Sequence, residues 1–378
     1  MKAEDILAEF RQTFANRHQL GRELKQKGHR IVGYVCTYVP EEIIHAAGLT
    51  PVRVLGGEGE TPQADAHLYS NLCSFVRSAV EGGFQGRYDY LEGLVALNAC
   101  DHIRRLYDVW SIYLKDKTPF TAILSVPGKI SENAIAVYKE ELEDFQQKLE
   151  NHFGTKITPE ALRNSIALYN ATRSLLDDLY DLRKSAEPSI TGSEVMEVIL
   201  AGMVTPREQY NEQLKALLEA LKSRSPVENA DDRVRLLVVG SEMQDVDFIK
   251  VIEDLGGLVV TDDLCIGARY FRCLVEDGDP LDTLARRYVT KNPCPRMRPQ
   301  EERIRRLKQE VGDFNVEGVI CEVMKFCDMH GAAYPIVKRA MDEIDIPVLK
   351  LEREHIMTTM GQIKTRTQAF FESISLGV

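Results

Sequence analysis

The feature that most constrains this chain is an alternation that runs twice along it. Apolar segments of strand length alternate with segments of helical periodicity, which is the pattern of a parallel sheet covered by helices. The first run follows a leading helix at about 3–26. Its strands are expected at Arg30–Cys36, Pro51–Leu55, Tyr90–Leu97 and Phe120–Ser125, with helices over Pro40–Gly48, Ser70–Gly82 and Asp101–Tyr113. From Ser131 to Ser223 the pattern is almost wholly helical, with Leu149, Leu162, Ile166, Leu175, Leu179 and Leu182 recurring at helical spacing. A polar stretch around Pro226 reads as a linker. The second run then places strands at Arg233–Gly240, Leu258–Thr261, Gly318–Cys321 and Pro347–Leu351. Its helices are expected over Asp245–Leu255, Leu281–Tyr288, Glu301–Val311, Tyr334–Ile344 and Thr359–Ser373. The expected fold is therefore α/β, with two doubly wound, Rossmann-like parallel-sheet domains and a helical insert. The boundaries fall at 1–155, 156–230 and 231–378.

A chain of 378 residues with 44% hydrophobic and 28% charged residues has the make-up of a globular protein with real cores. Its formal net charge of −11 argues against nucleic-acid binding, which needs a positive surface. That charge leaves room for an anionic ligand held locally by a few arginines or helix N-termini. The N-terminus is charged and amphipathic rather than a signal peptide, and no apolar run is long enough to span a membrane. The expected compartment is the cytoplasm, where the eight cysteines stay reduced and a disulfide framework is disfavoured.

Three of those cysteines share one kind of position. Cys73 opens a predicted helix, Cys100 lies between a strand and a helix, and Cys327 lies just past a strand. In open α/β sheets the carboxyl ends of the strands line the ligand crevice. Helix N-termini there lower a thiol's pKa and favour the thiolate that binds metal. None belongs to a compact C-x-x-C pair, so spacing alone leaves both metal ligation and ordinary thiol burial open. Zinc is the plain metal for such a site. Three thiolates with an open fourth position suit a reactive iron–sulfur cluster better than a closed zinc site.

Longer blocks carry a resemblance. They are Gly33–Gly48 (GYVCTYVPEEIIHAAG), Asn98–Arg104 (NACDHIR), Asp262–Cys265 (DDLC), Pro293–Pro295 (PCP), Lys325–Asp328 (KFCD) and Gly361–Arg366 (GQIKTR). In this order they resemble the 2-hydroxyacyl-CoA dehydratase and benzoyl-CoA reductase family, of the 2-hydroxyglutaryl-CoA dehydratase D-component type, over nearly the whole chain. The resemblance implies that Cys73, Cys100 and Cys327 bind a [4Fe–4S] cluster. It also implies a paralogous iron–sulfur subunit in a heterodimer, an acyl-CoA substrate and a separate ATP-dependent iron–sulfur activator that injects one low-potential electron.

The chemistry behind that implication is direct. The hydrogen β to a saturated thioester carbonyl is scarcely acidic, so a base alone cannot start an elimination. One electron added to the thioester gives a ketyl radical anion that can expel the α-hydroxyl, after which the β-proton becomes acidic. The expected activity is dehydration of an (R)-2-hydroxyacyl-CoA, with benzoyl-CoA-type ring reduction as the alternative. A lower alternative is a double-cubane cluster reductase acting as a homodimer: Cys36 matches a cysteine of that branch, whereas Val52–Gly57 and Gly86–Tyr90 lack others expected there. A third reading is an electron-transfer or scaffold subunit without a working pocket.

Candidate catalytic residues are Cys36 and Thr37 at a strand end, His45 on the following helix, and Glu58 by location. Each also has a structural reading: thiol packing for Cys36, a turn for Thr37, and an exposed or structural His45. Glu41 and Glu42 are candidate bases by location or serve the helix dipole, and Asp101 and His102 either tune the neighbouring ligand and move protons or are a first-turn acid and a solvated histidine. Arg296, Arg298 and Arg303 are candidates for CoA phosphates or a solvated helix face. Cys321 and Cys273 are read as packing residues. Cys265 and Cys294 have no ligand role in the three-cysteine pattern.

Overall fold

The computed structural model describes residues 2–57, 59–354 and 360–376. It contains two four-stranded sheets, and every pairing in them is parallel. The first sheet holds β1 (Ile31–Tyr34), β2 (Thr50–Arg53), β3 (Gly93–Leu97) and β4 (Phe120–Leu124) in the order β2-β1-β3-β4. The second holds β5 (Val234–Val239), β6 (Gly257–Asp263), β7 (Gly318–Met324) and β8 (Val348–Arg353) in the order β6-β5-β7-β8. The two halves thus repeat one winding. In each, the strand order reverses beside the first strand, between β1 and β3 and between β5 and β7. A crevice at the carboxyl ends is the usual ligand position in such sheets.

Three of the four central strands, β1, β3 and β7, are buried along their whole length, as parallel strands covered on both faces are. The helices between them begin where the local chemistry provides acceptors for free N–H groups. Ser131, Thr158, Thr191, Asp245 and Asp279 each accept a backbone N–H in the first turn of their helix. Gly154, at φ 64°, ends the long helix Glu132–Phe153 in the left-handed conformation that glycine adopts without strain.

Two differences from the expected elements have clear causes. The leading helix is two, Ala3–Ala15 and Arg17–Gln26, broken at Asn16, whose backbone lies outside the helical region. Strand β6 runs beyond Thr261 through Asp262 and Asp263, because their carboxylates find partners in the interior. Thr359, where the last helix was expected to start, lies outside the described residues, and that helix is Met360–Leu376.

The helical stretch between the sheets divides its packing. Residues from Ala134 to Ile166 cover one face of the first sheet, together with Leu284, Tyr288 and neighbours from the second half. Residues from Leu176 to Leu221 share a core with the N-terminal helix and the second sheet. The two halves therefore interlock instead of meeting at one flat contact.

Candidate functional site

Cys73, Cys100 and Cys327 each occupy the residue before a helix, ahead of Ser74–Phe84, Asp101–Tyr113 and Asp328–Asp342. All three have extended backbone, which turns the thiol toward the free N–H groups of the first turn. Cys100 follows β3 and Cys327 follows β7, so the two sheets deliver them from facing carboxyl ends. Phe326, left-handed at φ 67°, makes the bend that places Cys327. The three thiols lie near one another, close enough that ionisation of Cys100 would raise Cys73 and ionisation of Cys73 or Cys100 would raise Cys327.

Their protonation departs from the expected direction. Burial pushes Cys73 up to about 12 and Cys100 up to about 11, and pushes Cys327 up as well. The facing N–H groups of Phe75, Val76, His102, Ile103 and His330 pull the other way, but desolvation outweighs them. Among the described residues no group of three or more His, Cys, Asp or Glu side chains is set to hold a single metal ion. A zinc ion with bonds of about 2.3 Å needs tighter convergence than these thiols have. A larger iron–sulfur unit accepts wider spacing, and cysteine thiolates are the ligands such a unit takes.

The surroundings of these thiols are ordered by buried polar groups. His102 is buried, not solvated as expected, and its Nδ1 accepts the backbone N–H of Cys73 at 3.3 Å. His330 is buried on the helix that Cys327 opens; desolvation holds its imidazole neutral, assisted by Arg269 and Arg303. Glu242, just past β5, accepts from Arg53 at the end of β2 (2.8 Å), and its charge reaches both Cys73 and Cys265. Asp263 takes Arg269 and Arg303, and Glu322 faces Arg353 at 2.7 Å. His102, Asp263 and Arg303 are marked in the sequence, whereas Glu242, Glu322 and His330 are not, because a lone acid or histidine beside a strand carries no spacing signal.

A second set of thiols lies beside the first. Cys265 senses Cys294 and Cys36, while Cys100 senses Cys36 and Cys294, so Cys100 joins the two sets. Burial raises Cys36 and pushes Cys265 up to about 12. Cys36 is left-handed at φ 87°, a costly conformation for a residue with a Cβ and one that clusters at functional sites. Lys291, fully buried and absent from the sequence-based candidates, pins the next residue. Its Nζ donates to Thr37 O (2.6 Å), Thr37 Oγ1 (3.0 Å) and Arg269 O (3.1 Å). Burial, then Arg287, holds the Lys291 amine well below the usual lysine range. Its position just ahead of the PCP block was the only available signal.

The other candidates fall elsewhere. His45 binds Ser165 Oγ at 3.0 Å and Glu208 Oε1 at 3.1 Å, near Thr50 at the start of β2, the opposite end of the strand from Arg53. Glu58 lies outside the described residues. Glu41 and Glu42 do more than face a helix dipole. Both are buried: Glu41 accepts from Tyr34 and Arg207, and Glu42 from Arg173 and Tyr288. Asp101 is exposed and pairs with Arg104. Asp262 accepts from Tyr180 and from the N–H groups of Leu264 and Ala268. Arg303 is fully buried on Asp263, while Arg296 and Arg298 bind backbone carbonyls. Cys321 is core, and Cys273 is half-buried with its thiol taking Arg306 Nη1 at 3.2 Å.

Residues 36–374 match the family described as 2-hydroxyglutaryl-CoA dehydratase, D-component. The chain is 31% identical to one of the subunits of benzoyl-CoA reductase from Thauera aromatica, over 92% of this chain and 91% of that one. It is 29% identical to the putative dehydratase subunit YjiM of Escherichia coli (strain K12), over 98% and 99% respectively. It is 25% identical to the (R)-phenyllactyl-CoA dehydratase beta subunit of Clostridium sporogenes, over 93% and 94%.

Proposed function

From the premise that this chain belongs to the 2-hydroxyglutaryl-CoA dehydratase D-component family, we propose that it is the iron–sulfur subunit of an enzyme that dehydrates an (R)-2-hydroxyacyl-CoA. The observation that carries the reading is the meeting of Cys73, Cys100 and Cys327, each ahead of a helix, at the facing ends of the two sheets. They are the residues that would hold a [4Fe–4S] cluster. The chemistry that group supplies when bound is one-electron reduction of the thioester to a ketyl radical anion, from which the α-hydroxyl can leave.

The chain's own residues then have defined tasks. His102 fixes the backbone of Cys73. Lys291 donates to Thr37 Oγ1, which orients that hydroxyl so that its own proton is free for an oxygen of the substrate. The strained Cys36 carries its thiol beside Thr37. The enzyme is completed by a paralogous iron–sulfur partner, in keeping with the names of the relatives, which are themselves subunits. An ATP-dependent iron–sulfur activator delivers the electron, in the cytoplasm.

The test is anaerobic copurification with the partner subunit, iron analysis, and assay on a panel of 2-hydroxyacyl-CoA and aryl-CoA esters. About four iron atoms per chain are expected, with near-complete loss in Cys73→Ala, Cys100→Ala and Cys327→Ala. Turnover of aryl-CoA alone would move the assignment to ring reduction, and full iron in the three variants would remove it altogether.

One observation favours a second reading. Cys36, Cys265 and Cys294 form a neighbouring thiol set, which offers donors for a second iron–sulfur unit although the chain lacks cysteines at Val52–Gly57 and Gly86–Tyr90. That reading requires about eight iron atoms per chain and their loss in Cys265→Ala or Cys294→Ala.

A further inference from the structure

A cavity of about 560 Å³ lies between the helix Pro280–Thr290, the loop that holds Cys273 and the start of the helix Glu301–Asp313. Its size suits a small organic ligand of nucleotide dimensions. The charged groups on its wall are Arg286, Arg287, Arg306, Glu276 and Glu302, so cations outnumber anions in a chain that is acidic as a whole.

Two of the three arginines already have acids. Arg286 forms a two-pronged pair with Glu132, and Arg306 binds Glu302 and the Cys273 thiol. Arg287 does not. It is 3% exposed, and its Nε and Nη2 donate to the carbonyls of Cys273 and Tyr270. Its Nη1 has no hydrogen-bond acceptor among the described residues. The nearby Glu42 is taken by Arg173 and Tyr288, and Arg173 adds its own positive charge. Burial and Arg173 accordingly pull Arg287 down from the usual guanidinium range. A buried cation without an anion is costly unless something supplies one. Cys273, which anchors Arg287 through its carbonyl, is itself left-handed at φ 71°, the kind of strain that collects at ligand sites. Ile130, Leu274 and Pro299 give the cavity an apolar wall against which a flat ring can lie.

We infer that this cavity binds the phosphate-bearing end of a nucleotide-type ligand, with a phosphate on Arg287 and the ring against the apolar wall. This rests on the acyl-CoA reading above, in which the ligand is the nucleotide end of the coenzyme A thioester; a free nucleotide shares the same chemistry. Arg287 lies one helical turn, about 6 Å of rise, before Lys291, which touches Thr37 at the crevice. A ligand anchored here therefore has its long arm starting close to the reactive centre.

The experiment uses the full chain with its partner subunit. It follows the rate of Cys273 alkylation by N-ethylmaleimide, mapped by mass spectrometry, alongside calorimetric titration with CoA, dephospho-CoA, ADP and inorganic phosphate. CoA is expected to slow Cys273 alkylation at least tenfold, and dephospho-CoA to do so less. Arg287→Met should weaken CoA binding at least tenfold. Thr283→Trp, which fills the cavity from a half-buried position and leaves Arg287 in place, should abolish both protection and binding even if Arg287→Met fails to fold. Protection by ADP matching that by CoA would assign the site to a free nucleotide and sustain the anion site. CoA binding that leaves Cys273 alkylation unchanged, or that survives Thr283→Trp within twofold, would overturn the assignment. Because turnover of acyl-CoA is measured separately, its persistence with Cys273 unprotected would discard this cavity while leaving the proposed activity intact.

Discussion

The ion pair between Arg53 and Glu242 provides the sharpest test of how the two halves are joined. Arg53 ends β2 in the first sheet and Glu242 follows β5 in the second. Their atoms lie 2.8 Å apart, and the side chains are 1% and 9% exposed. With an effective dielectric constant near 20, two unit charges about 4 Å apart attract by about 4 kcal/mol. Deleting one partner forfeits that attraction and leaves the other charge buried. Arg53→Met should therefore lower the unfolding free energy by about 3–5 kcal/mol, the range for a buried pair broken on one side. Replacing both, as Arg53→Met with Glu242→Leu, removes the stranded charge and should restore most of the loss, since apolar replacements of buried pairs are often neutral. The assay is anaerobic urea denaturation at pH 7, followed by the fluorescence of Trp110, the chain's single tryptophan and a core residue. A double-mutant cycle should give a coupling of about 2 kcal/mol or more. A single variant within about 1 kcal/mol of the parent, or a double variant as damaged as the sum of the singles, would show that the pair does not hold the halves together.

Three further outcomes are expected. His102→Phe leaves the buried N–H of Cys73 without an acceptor and should cost about 1–3 kcal/mol in the same denaturation assay, with His102→Asn recovering part of it. Desolvation, with Arg17, Arg87 and Arg22, depresses His18 to about 4, so the folded state resists its protonation. Its contribution is complete above pH 6.5 and lost as pH falls toward 4, amounting to about 1–2 kcal/mol at pH 5. The parent should thus lose more stability than His18→Gln between pH 7 and pH 5, and equal losses would rule this titration out. At Gly267 an added Cβ would stand 1.9 Å from Asp262 Oδ1, which the N–H groups of Leu264 and Ala268 hold in place. Gly267→Ala should therefore cost about 1–3 kcal/mol of overpacking, read as a lower thermal midpoint.

Much of the fold was legible because the strands are uniformly apolar. Runs such as Leu94–Leu97 and Leu236–Val239 have no room for polar residues when helices cover both faces. The helix starts were legible for a similar local reason, since Asp101 and Pro280 sit where an acid or a proline favours the first turn. What periodicity could not convey was the reach of β6 through Asp262 and Asp263. Their polar character suggests a loop until Tyr180, Arg269 and Arg303 are brought alongside from other elements. The same holds for Glu41, Glu42 and His102, which look like surface residues of helices; Glu41 and Glu42 are buried by partners more than a hundred residues away, and His102 by Cys73, 29 residues away.

The site was legible only in part, for a related reason. Cys73, Cys100 and Cys327 each carry a local sign, the step from an extended residue into a helix. Cys36, Cys265 and Cys294 carry none, and they approach one another only because both sheets point their carboxyl ends into the same crevice. Each thiol set draws on both halves: Cys73 and Cys100 with Cys327, and Cys36 with Cys265 and Cys294. Two contacts that cross the crevice, Arg53 to Glu242 and Lys291 to Thr37, are buried and polar rather than apolar. An apolar contact tolerates sliding, whereas an ion pair or a lysine holding three acceptors is satisfied at one relative placement of its partners. Polar contacts at this seam therefore set the spacing of the thiols more tightly than the cores on either side do, and a thiol site contributed by two halves requires that spacing.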